Sequence, residues 1–365
     1  MSDSITHAPI GVGIVGLSAT DGWAARAHVP ALAAVDGLEL RGLVASSAAT
    51  GRAASATHRV PAHASARALA AEDGIDLVVV AVKVPEHRAL VLPALEAGAA
   101  VLCEWPLAVD LREAEDLERA GSRTRTFVGL QGRTTPTFRW LADLVREGFV
   151  GEVLSATVVA ASVGWGDPTS ERARYTLDRG NGATLLTIAF GHMVDAVALV
   201  VGEPETLVAT TATRRPLIPH RETGELVTMT AEDQIAVSGT LAGGAVFSAH
   251  HRGGAVSPSF SLLVDGTEGR LEVTAPGHPH LAPVTVRGAR GEAHLAQLVV
   301  PERLDPFHRW RGTAAHPLVH AYAAIRDDLL EGTGVAPDFT HAARRHRLLD
   351  AIQRSAATGR RVSLA

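Results

Sequence analysis

The sequence predicts an α/β protein of two domains, a doubly wound parallel sheet followed by an α/β domain built on an open, largely antiparallel sheet. Three observations carry this. A chain of 365 residues exceeds what one hydrophobic core usually supports. Its first third alternates short apolar runs with helix-period segments, the pattern of parallel strands buried on both faces. Beyond residue 150 the chain turns to strand-like stretches joined by Gly- and Pro-rich turns.

Residues 10–17, IGVGIVGL, read as the first strand, and 23–34 as the helix that follows. Gly11, Gly13 and Gly16 match Gly-x-Gly-x-x-Gly, but that match lies inside the strand instead of between strand and helix. The phosphate loop is therefore expected at 16–22, with Gly16 making the turn, Ser18 where a second glycine would bring backbone close to pyrophosphate, and a helix N-terminus supplying N–H donors. Leu17 and Trp23 border this loop and are counted as cofactor contacts. The second strand, 38–45, ends in Ser46 and Ser47, with Arg52 downstream and no carboxylate at its tip. Hydroxyls and a guanidinium there favour a 2′-phosphate, so NADP is expected ahead of NAD; the alternative is that the serines only cap the next helix.

The plan is clearest in residues 75–107, IDLVVVAVKVPEHRALVLPALEAGAAVLCEWPL. The apolar run 78–82 is a central strand, Pro85 stops it, 87–97 crosses back as a helix closed by Gly98, and 100–103 is the next strand. Such a βαβ unit is right-handed, and ligands bind at the carboxyl ends of its strands, here Lys83-Val84-Pro85 and Glu104-Trp105-Pro106. Lys83 is the only lysine among 34 basic residues. A partly desolvated lysine at this tip acquires a pKa suited to proton transfer, so Lys83 is a catalytic candidate; the plainer alternative is a charge touching cofactor ribose or phosphate. His87, at the start of the crossover helix, is counted with the cofactor contacts.

Residues 126–131 give the last strand of the first domain, and the boundary is expected at 132/133, dividing the chain into 1–132 and 133–365. Gln131 can reach the cofactor carboxamide and Arg133 the substrate, or Arg133 can form an ion pair. A helix over 138–147 and a strand over 151–162 open the second domain. LVATTATR, DQIAVSGTL, AVFSAHHR, FSLLVDG and GRLEVTA continue it as antiparallel strands. Such a sheet can bury one face on helices and offer the other to a partner subunit. Residues 316–330 and 342–358 read as helices, and RRVSL as a short last strand.

Composition excludes several classes. With 46% hydrophobic residues and a net charge of −5, the chain can bury two cores and no basic block invites a nucleic-acid partner; Arg344, Arg345 and Arg347 read as the solvated face of a late helix. One cysteine, Cys103, excludes an internal disulfide and suggests a packed thiol in a reducing, cytoplasmic compartment. The opening MSDSITHAPI shows no secretion signal. The apolar window 183–201 is interrupted by His192 and Asp195 and reads as a buried helix instead of a membrane span. Metal binding is not expected: His250 and His251 fall on opposite strand faces, while His278 and His280 flank Pro279 in a turn. Hydrolytic motifs are absent from the sequence.

The ordered set GIVGL, HVPAL, IDLVVVAV, CEWPL, GEV at 151–153, GHMVD at 191–195 and LLDAIQRSAATGRRVSL resembles the Gfo/Idh/MocA oxidoreductase family over nearly the whole chain. GLSATDGWA, VKVPEH, GLQGRTTP and NGATLLTIAFGHMVDA are similar to the branch that includes the fungal repressor of galactose-utilisation genes. The resemblance implies a Rossmann domain, a second domain that associates face to face as a homodimer or homotetramer, and oxidation or reduction of sugars, polyols or related carbonyl compounds with a nicotinamide cofactor. It also implies Glu104 on the nicotinamide ribose, Trp105 against the nicotinamide or the substrate, and His192 as proton acceptor; the plainer alternatives are packing alone for Trp105 and a core histidine satisfied by a backbone carbonyl for His192. Asp195, matched as well, orients or pairs, and Tyr175 can hydrogen-bond substrate. Two departures stand out: Glu104-Trp105-Pro106 replaces the family's Glu-Lys-Pro, and Ile188 stands where an aspartate is usual. Retained His192, Lys83 and Arg133 favour an NAD(P)-dependent oxidoreductase; the departures favour a catalytically silent, dinucleotide-sensing regulator that binds a protein partner.

Overall fold

The computed structural model describes residues 8–364, which form two compact units. The first comprises residues up to Ala108, Arg112–Gly129 and Thr313–Ala342. Its sheet contains β1 (Ile10–Val15), β2 (Leu38–Val44), β3 (Leu77–Val80), β4 (Ala100–Cys103) and β5 (Thr126–Val128), in the order β2-β1-β3-β4-β5. Every pairing is parallel. Strands β1 and β3 are buried along their whole length, as continuous apolar runs covered on both faces require. Helices α1 (Val29–Ala34), α2 (Ala48–His58), α3 (Ala66–Ala70), α4 (His87–Glu96) and α5 (Leu111–Gly121) supply the crossovers.

The boundary expected at 132/133 misses two exchanges: 109–111 cluster with the second unit, and 313–342, assigned from the sequence to the second domain, cluster with the first. The reason is burial. Val319, Tyr322 and Ile325 face inward, and the Tyr322 hydroxyl lies 2.6 Å from His28 Nδ1. Helical periodicity reveals an apolar stripe but not the neighbouring helix that will cover it. The segment is closed by Asp328, whose carboxylate accepts from Thr333 and from the backbone N–H groups of Val335 and Ala336.

The second unit comprises 109–111, 130–312 and 343–364 among the described residues. Its strands are β6 (Val153–Ala161), β7 (Pro204–Ala212), β8 (Leu217–Pro219), β9 (Leu226–Thr228), β10 (Gln234–Leu241), β11 (Val246–Arg252), β12 (Ser259–Gly266), β13 (Gly269–Ala275), β14 (Thr285–Arg290), β15 (Ala296–Leu298) and β16 (Val362–Ser363). Nine make one sheet in the order β15-β14-β13-β12-β6-β11-β10-β7-β16, and β8 and β9 form a separate ribbon. The sheet is antiparallel except where β11 runs parallel to β6. Strict burial alternation along β10 shows one covered and one open face.

Helices α6 (Pro136–Arg146) and α7 (Gly191–Val201) belong to this unit, as does most of α9 (Phe339–Thr358), whereas α8 (His316–Glu331) belongs to the first. Phe138 of α6 meets Phe260 of β12 edge-on at 6.5 Å, both rings buried, each burial worth roughly 1.5–3 kcal/mol. The apolar window is the buried helix expected: a wide helical turn over Leu185–Phe190, capped reciprocally by Thr184 and Thr187, runs into α7. Arg345 overturns the expectation of a solvated arginine face. Arg344 and Arg347 are exposed, but Arg345 between them is wholly buried. No described helix is long and apolar enough to cross a membrane.

Candidate functional sites in the two units

In the first unit the parallel strands bring Gly16, Ser46, Lys83 and Glu104 to one edge of the sheet. Gly16 has φ +95°, and a Cβ on it would lie 2.5 Å from the Ala81 carbonyl oxygen, so the tight turn after β1 requires glycine. Gly11 instead packs against Gly74 within the sheet, in keeping with a loop at 16–22 and not at the literal motif. Leu17 is buried. The Ser18 hydroxyl bonds Asp21 across the loop, the Ser18 carbonyl lies 2.9 Å from His58 Nε2, and the partly buried Trp23 meets His28 edge-on at 6.3 Å. Ser47 caps α2 through a reciprocal pair with Thr50, and Ser46 Oγ lies 3.4 Å from Thr50 Oγ1, so capping accounts for Ser47. Arg52 is exposed on α2.

Lys83 follows β3 with its side chain exposed, so the desolvation expected from its position is not present. His87 is buried with Nδ1 3.3 Å from the Leu107 carbonyl and Nε2 3.2 Å from that of Val82. Burial lowers its pKa against the opposing pull of these carbonyls. Both nitrogens lie against backbone carbonyls, and the neutral ring can donate to one of them. Cys103 is the packed thiol expected, its pKa pushed well up by burial and then by Glu104 and Glu113. Trp105 is buried as well.

Glu104 has a partner that sequence reasoning missed. His28, fully buried in HVPAL, sets Nε2 3.3 Å from Glu104 Oε1 and Nδ1 on the Tyr322 hydroxyl. A Cβ at Gly129 would lie 2.5 Å from the same Oε1, so a glycine leaves room for the carboxylate. The signal available was a lone histidine in an apolar helical run, directly after the glycine loop.

In the second unit α7 carries two buried polar groups one turn apart. Asp195 Oδ1 receives Arg133 at 3.2 Å and Arg345 Nη2 at 3.1 Å, and Arg345 also makes two bonds of 2.8 and 3.0 Å to Glu203. Arg133 therefore forms an ion pair, and Asp195 pairs, as its place one turn after His192 suggested. Gln131, expected at the cofactor, is buried at the opening of this unit, its carbonyl accepting from the Thr134 hydroxyl. Tyr175 is partly buried, its pKa raised by burial against the opposing charge of Arg172.

His192 has different company. His280 lies over it at 4.4 Å between ring centroids, tilted 30°; His278 stands 4.4 Å from His280 and 6.1 Å from His192, and His251 6.4 Å from His278. All four Nδ1 atoms are buried without a hydrogen-bond partner among the described residues. Burial drives His192 down to about 3, aided by His278 and opposed by Asp195. Burial likewise brings His251 to about 3, with contributions from His278, His250 and Arg252, and His278 to about 4 against the Ala189 carbonyl. His280 falls well below the usual range through burial, then His192 and His278. His250 and His251 do point to opposite faces, and strand and turn converge on α7, a meeting that sequence reasoning did not foresee. The signal was His-Pro-His at 278–280, a turn stiff enough to aim two imidazoles together.

Residues 10–130 match the family model described as "Oxidoreductase family, NAD-binding Rossmann fold", and 136–275 the model described as "Gal80p, C-terminal domain". The galactose/lactose metabolism regulatory protein GAL80 of Saccharomyces cerevisiae is 29% identical over 73% of this chain and 67% of its own length. A crystal structure of a super-repressor mutant of Gal80p from the same yeast superposes with a TM-score of 0.87 at 23% identity, covering 98% of each chain. Dehydrogenase aclE of Aspergillus oryzae is 36% identical over 48% of this chain, which spans about half (49%) of that relative's length. Levoglucosan dehydrogenase in complex with NADH and L-sorbose matches in fold, with a TM-score of 0.83 at 19% identity over 98% of this chain and 99% of that one. Together the ordered motifs, the parallel unit with its glycine loop and the two adjoining family matches make this chain a member of the Gfo/Idh/MocA oxidoreductase family, with a second domain of the Gal80p type.

Proposed function

We propose that the protein is an NAD(P)-dependent oxidoreductase that moves a hydride to or from a sugar, polyol or related hydroxyl or carbonyl compound. The observation that carries this reading is His192, the imidazole retained on α7 where the family places its proton acceptor. The first unit fits a dinucleotide: Gly16 offers bare backbone at the turn after β1, and Glu104 a carboxylate at the same sheet edge. A bound nicotinamide supplies the hydride acceptor or donor at C4. In oxidation, His192 Nε2 takes the hydroxyl proton as the C–H bond breaks, and Lys83 assists that proton or steadies the cofactor. Glu104, backed by His28, receives ribose hydroxyls; Gly16, Leu17, Ser18 and Trp23 border the phosphates. Trp105, Gln131, Arg133 and Tyr175 complete the set of cofactor and substrate contacts.

NADP is the preferred form in this reading, because β2 ends without a carboxylate and Arg52 is exposed on the helix that follows. With Ser47 committed to its cap, Ser46 and Arg52 carry the preference. Arg52→Ala is expected to weaken NADPH and leave NADH unchanged. The open sheet face, where Val159 and Val246 are exposed, is the surface proposed for a homodimer or homotetramer. A reducing, cytoplasmic setting suits the unpaired Cys103.

The deciding experiment titrates NADPH and NADH by fluorescence, then screens sugars, polyols and keto-sugars for absorbance change at the nicotinamide band. Turnover lost in His192→Ala and reduced in Lys83→Met supports the enzyme. Tight dinucleotide binding without turnover across the panel supports a second reading, a dinucleotide-sensing regulator with a protein partner. Trp105 and Ile188, both apolar where the family carries ionisable side chains, favour that alternative.

A further inference from the structure

Buried polar atoms in folded proteins are hydrogen-bonded as a rule, and each exception calls for a reason. Here four exceptions share one place: Nδ1 of His192, His251, His278 and His280. They come from three separate stretches of the second unit, α7, the end of β11 and the 278–280 turn, so no local sequence effect gathers them. His278 has a defined tautomer. Its Nε2 lies 2.8 Å from the Ala189 carbonyl, an acceptor, so in the neutral ring Nε2 carries the hydrogen and Nδ1 a lone pair. His280 stands between His278 and His192, 4.4 Å from each. His192 is itself buried, and its Nδ1 is one of the four.

We propose that His280 and His278 are positioning residues for His192: His280 packs over the His192 ring, His278 meets His280 edge-on and is anchored on the Ala189 carbonyl, and together they fix the plane of His192, the proton acceptor. The inference rests on the reading of His192 as the base and extends it to two residues outside α7. The titratable groups facing His192 are Asp195 on α7 and His278 and His280 from the turn; His251 stands behind His278, flanked by His250 and Arg252. Low polarity around the chain explains why it stays neutral, and stacking explains why the ring keeps one orientation.

The test reads the imidazoles directly, so it does not depend on finding a substrate. Long-range ¹H–¹⁵N correlation spectra of the full protein are recorded from pH 7.5 to 4, for wild type, His280→Ala, His280→Phe and His278→Gln. The expected result is a neutral His192 across the wild-type range, and in His280→Ala a His192 that titrates at least one pH unit higher. His280→Phe keeps a ring over His192 and should restore most of the fixed state; His278→Gln keeps a donor for Ala189 and controls for loss of fold. A wild-type His192 that titrates near 6.5, or one unchanged by His280→Ala, overturns the proposal. Once a substrate is in hand, His280→Ala should lower kcat at least tenfold and move the acid limb of the pH profile upward, with cofactor affinity unchanged. Absence of turnover in wild type with the spectra as expected would sink the enzyme reading and leave the positioning role standing.

Discussion

One turn of α7 separates two ways of burying polarity. Asp195 lies in a closed network, its Oδ1 within ion-pair distance of both Arg133 and Arg345, with Arg345 held in turn by Glu203. His192 lies in an open one, its ring stacked among imidazoles and its Nδ1 without a hydrogen-bond partner among the described residues. The closed network can only be broken, because every charge in it depends on another. The open one resists a proton until well below neutral pH, but its Nδ1 atoms are not committed to hydrogen bonds among the described residues, and so it is where a ligand can be met. The first unit repeats the contrast in milder form: His87 is enclosed between two backbone carbonyls, whereas His28 faces the Glu104 carboxylate at the sheet edge.

Breaking the closed network should have the largest effect. Arg345→Ala leaves Asp195 and Glu203 without their shared buried cation, and removing one partner of such a set costs about 3–5 kcal/mol. Urea unfolding should report that loss; a change below about 1 kcal/mol would mean that water reaches the carboxylates and that the network is not closed. Charging the open network comes next. His192 and His251 near 3 and His278 near 4 all lie below the usual 6.5, so the unfolded chain binds their protons first as pH falls. Stability is then unaffected above the unfolded value, declines from about pH 6.5 towards 4, and levels off as the folded state takes up protons too. Each proton contributes a slope of about 1.4 kcal/mol per pH unit at most. His251→Phe removes one of them and should flatten the decline by about one proton, whereas an unchanged slope would place the pH dependence elsewhere.

Much of the fold is legible in the sequence because it depends on local pattern. The apolar run after Asp76, Pro85, and the caps around 87–98 define a βαβ unit without reference to anything distant, and the strand expected at 100–103 is observed there. Destinations are not legible. Periodicity marks 316–330 as a helix but does not say that Tyr322 reaches His28. Arginines 344, 345 and 347 look alike in sequence, and only the acids supplied by α7 and Glu203 separate the buried one from the exposed two. The same holds at the candidate sites. Gly16, Glu104 and His192 are found from strand ends and motif positions, whereas His278 and His280 look inert in sequence because a turn gives no sign of what it folds onto.

The smallest predicted effect is the sharpest control on the open network. His250 and His251 are neighbours on β11, yet the pleat sends His250 to solvent and His251 inward to Ser162, whose Oγ lies 2.8 Å from Nε2. His250→Ala should therefore change stability by less than about 0.5 kcal/mol at pH 7.5, as surface substitutions do. Its effect on His251 is indirect: without the neighbouring imidazole that lowers it, the folded value of His251 moves closer to the unfolded one, so the acid decline should begin at the same pH and level off slightly sooner, with a slightly smaller total loss. Denaturation of His250→Ala and His251→Phe in parallel from pH 7.5 to 4 checks this. If the two variants flattened the curve equally, the proton uptake would belong to the strand as a whole, and the argument that burial against α7 sets the histidines apart would fail.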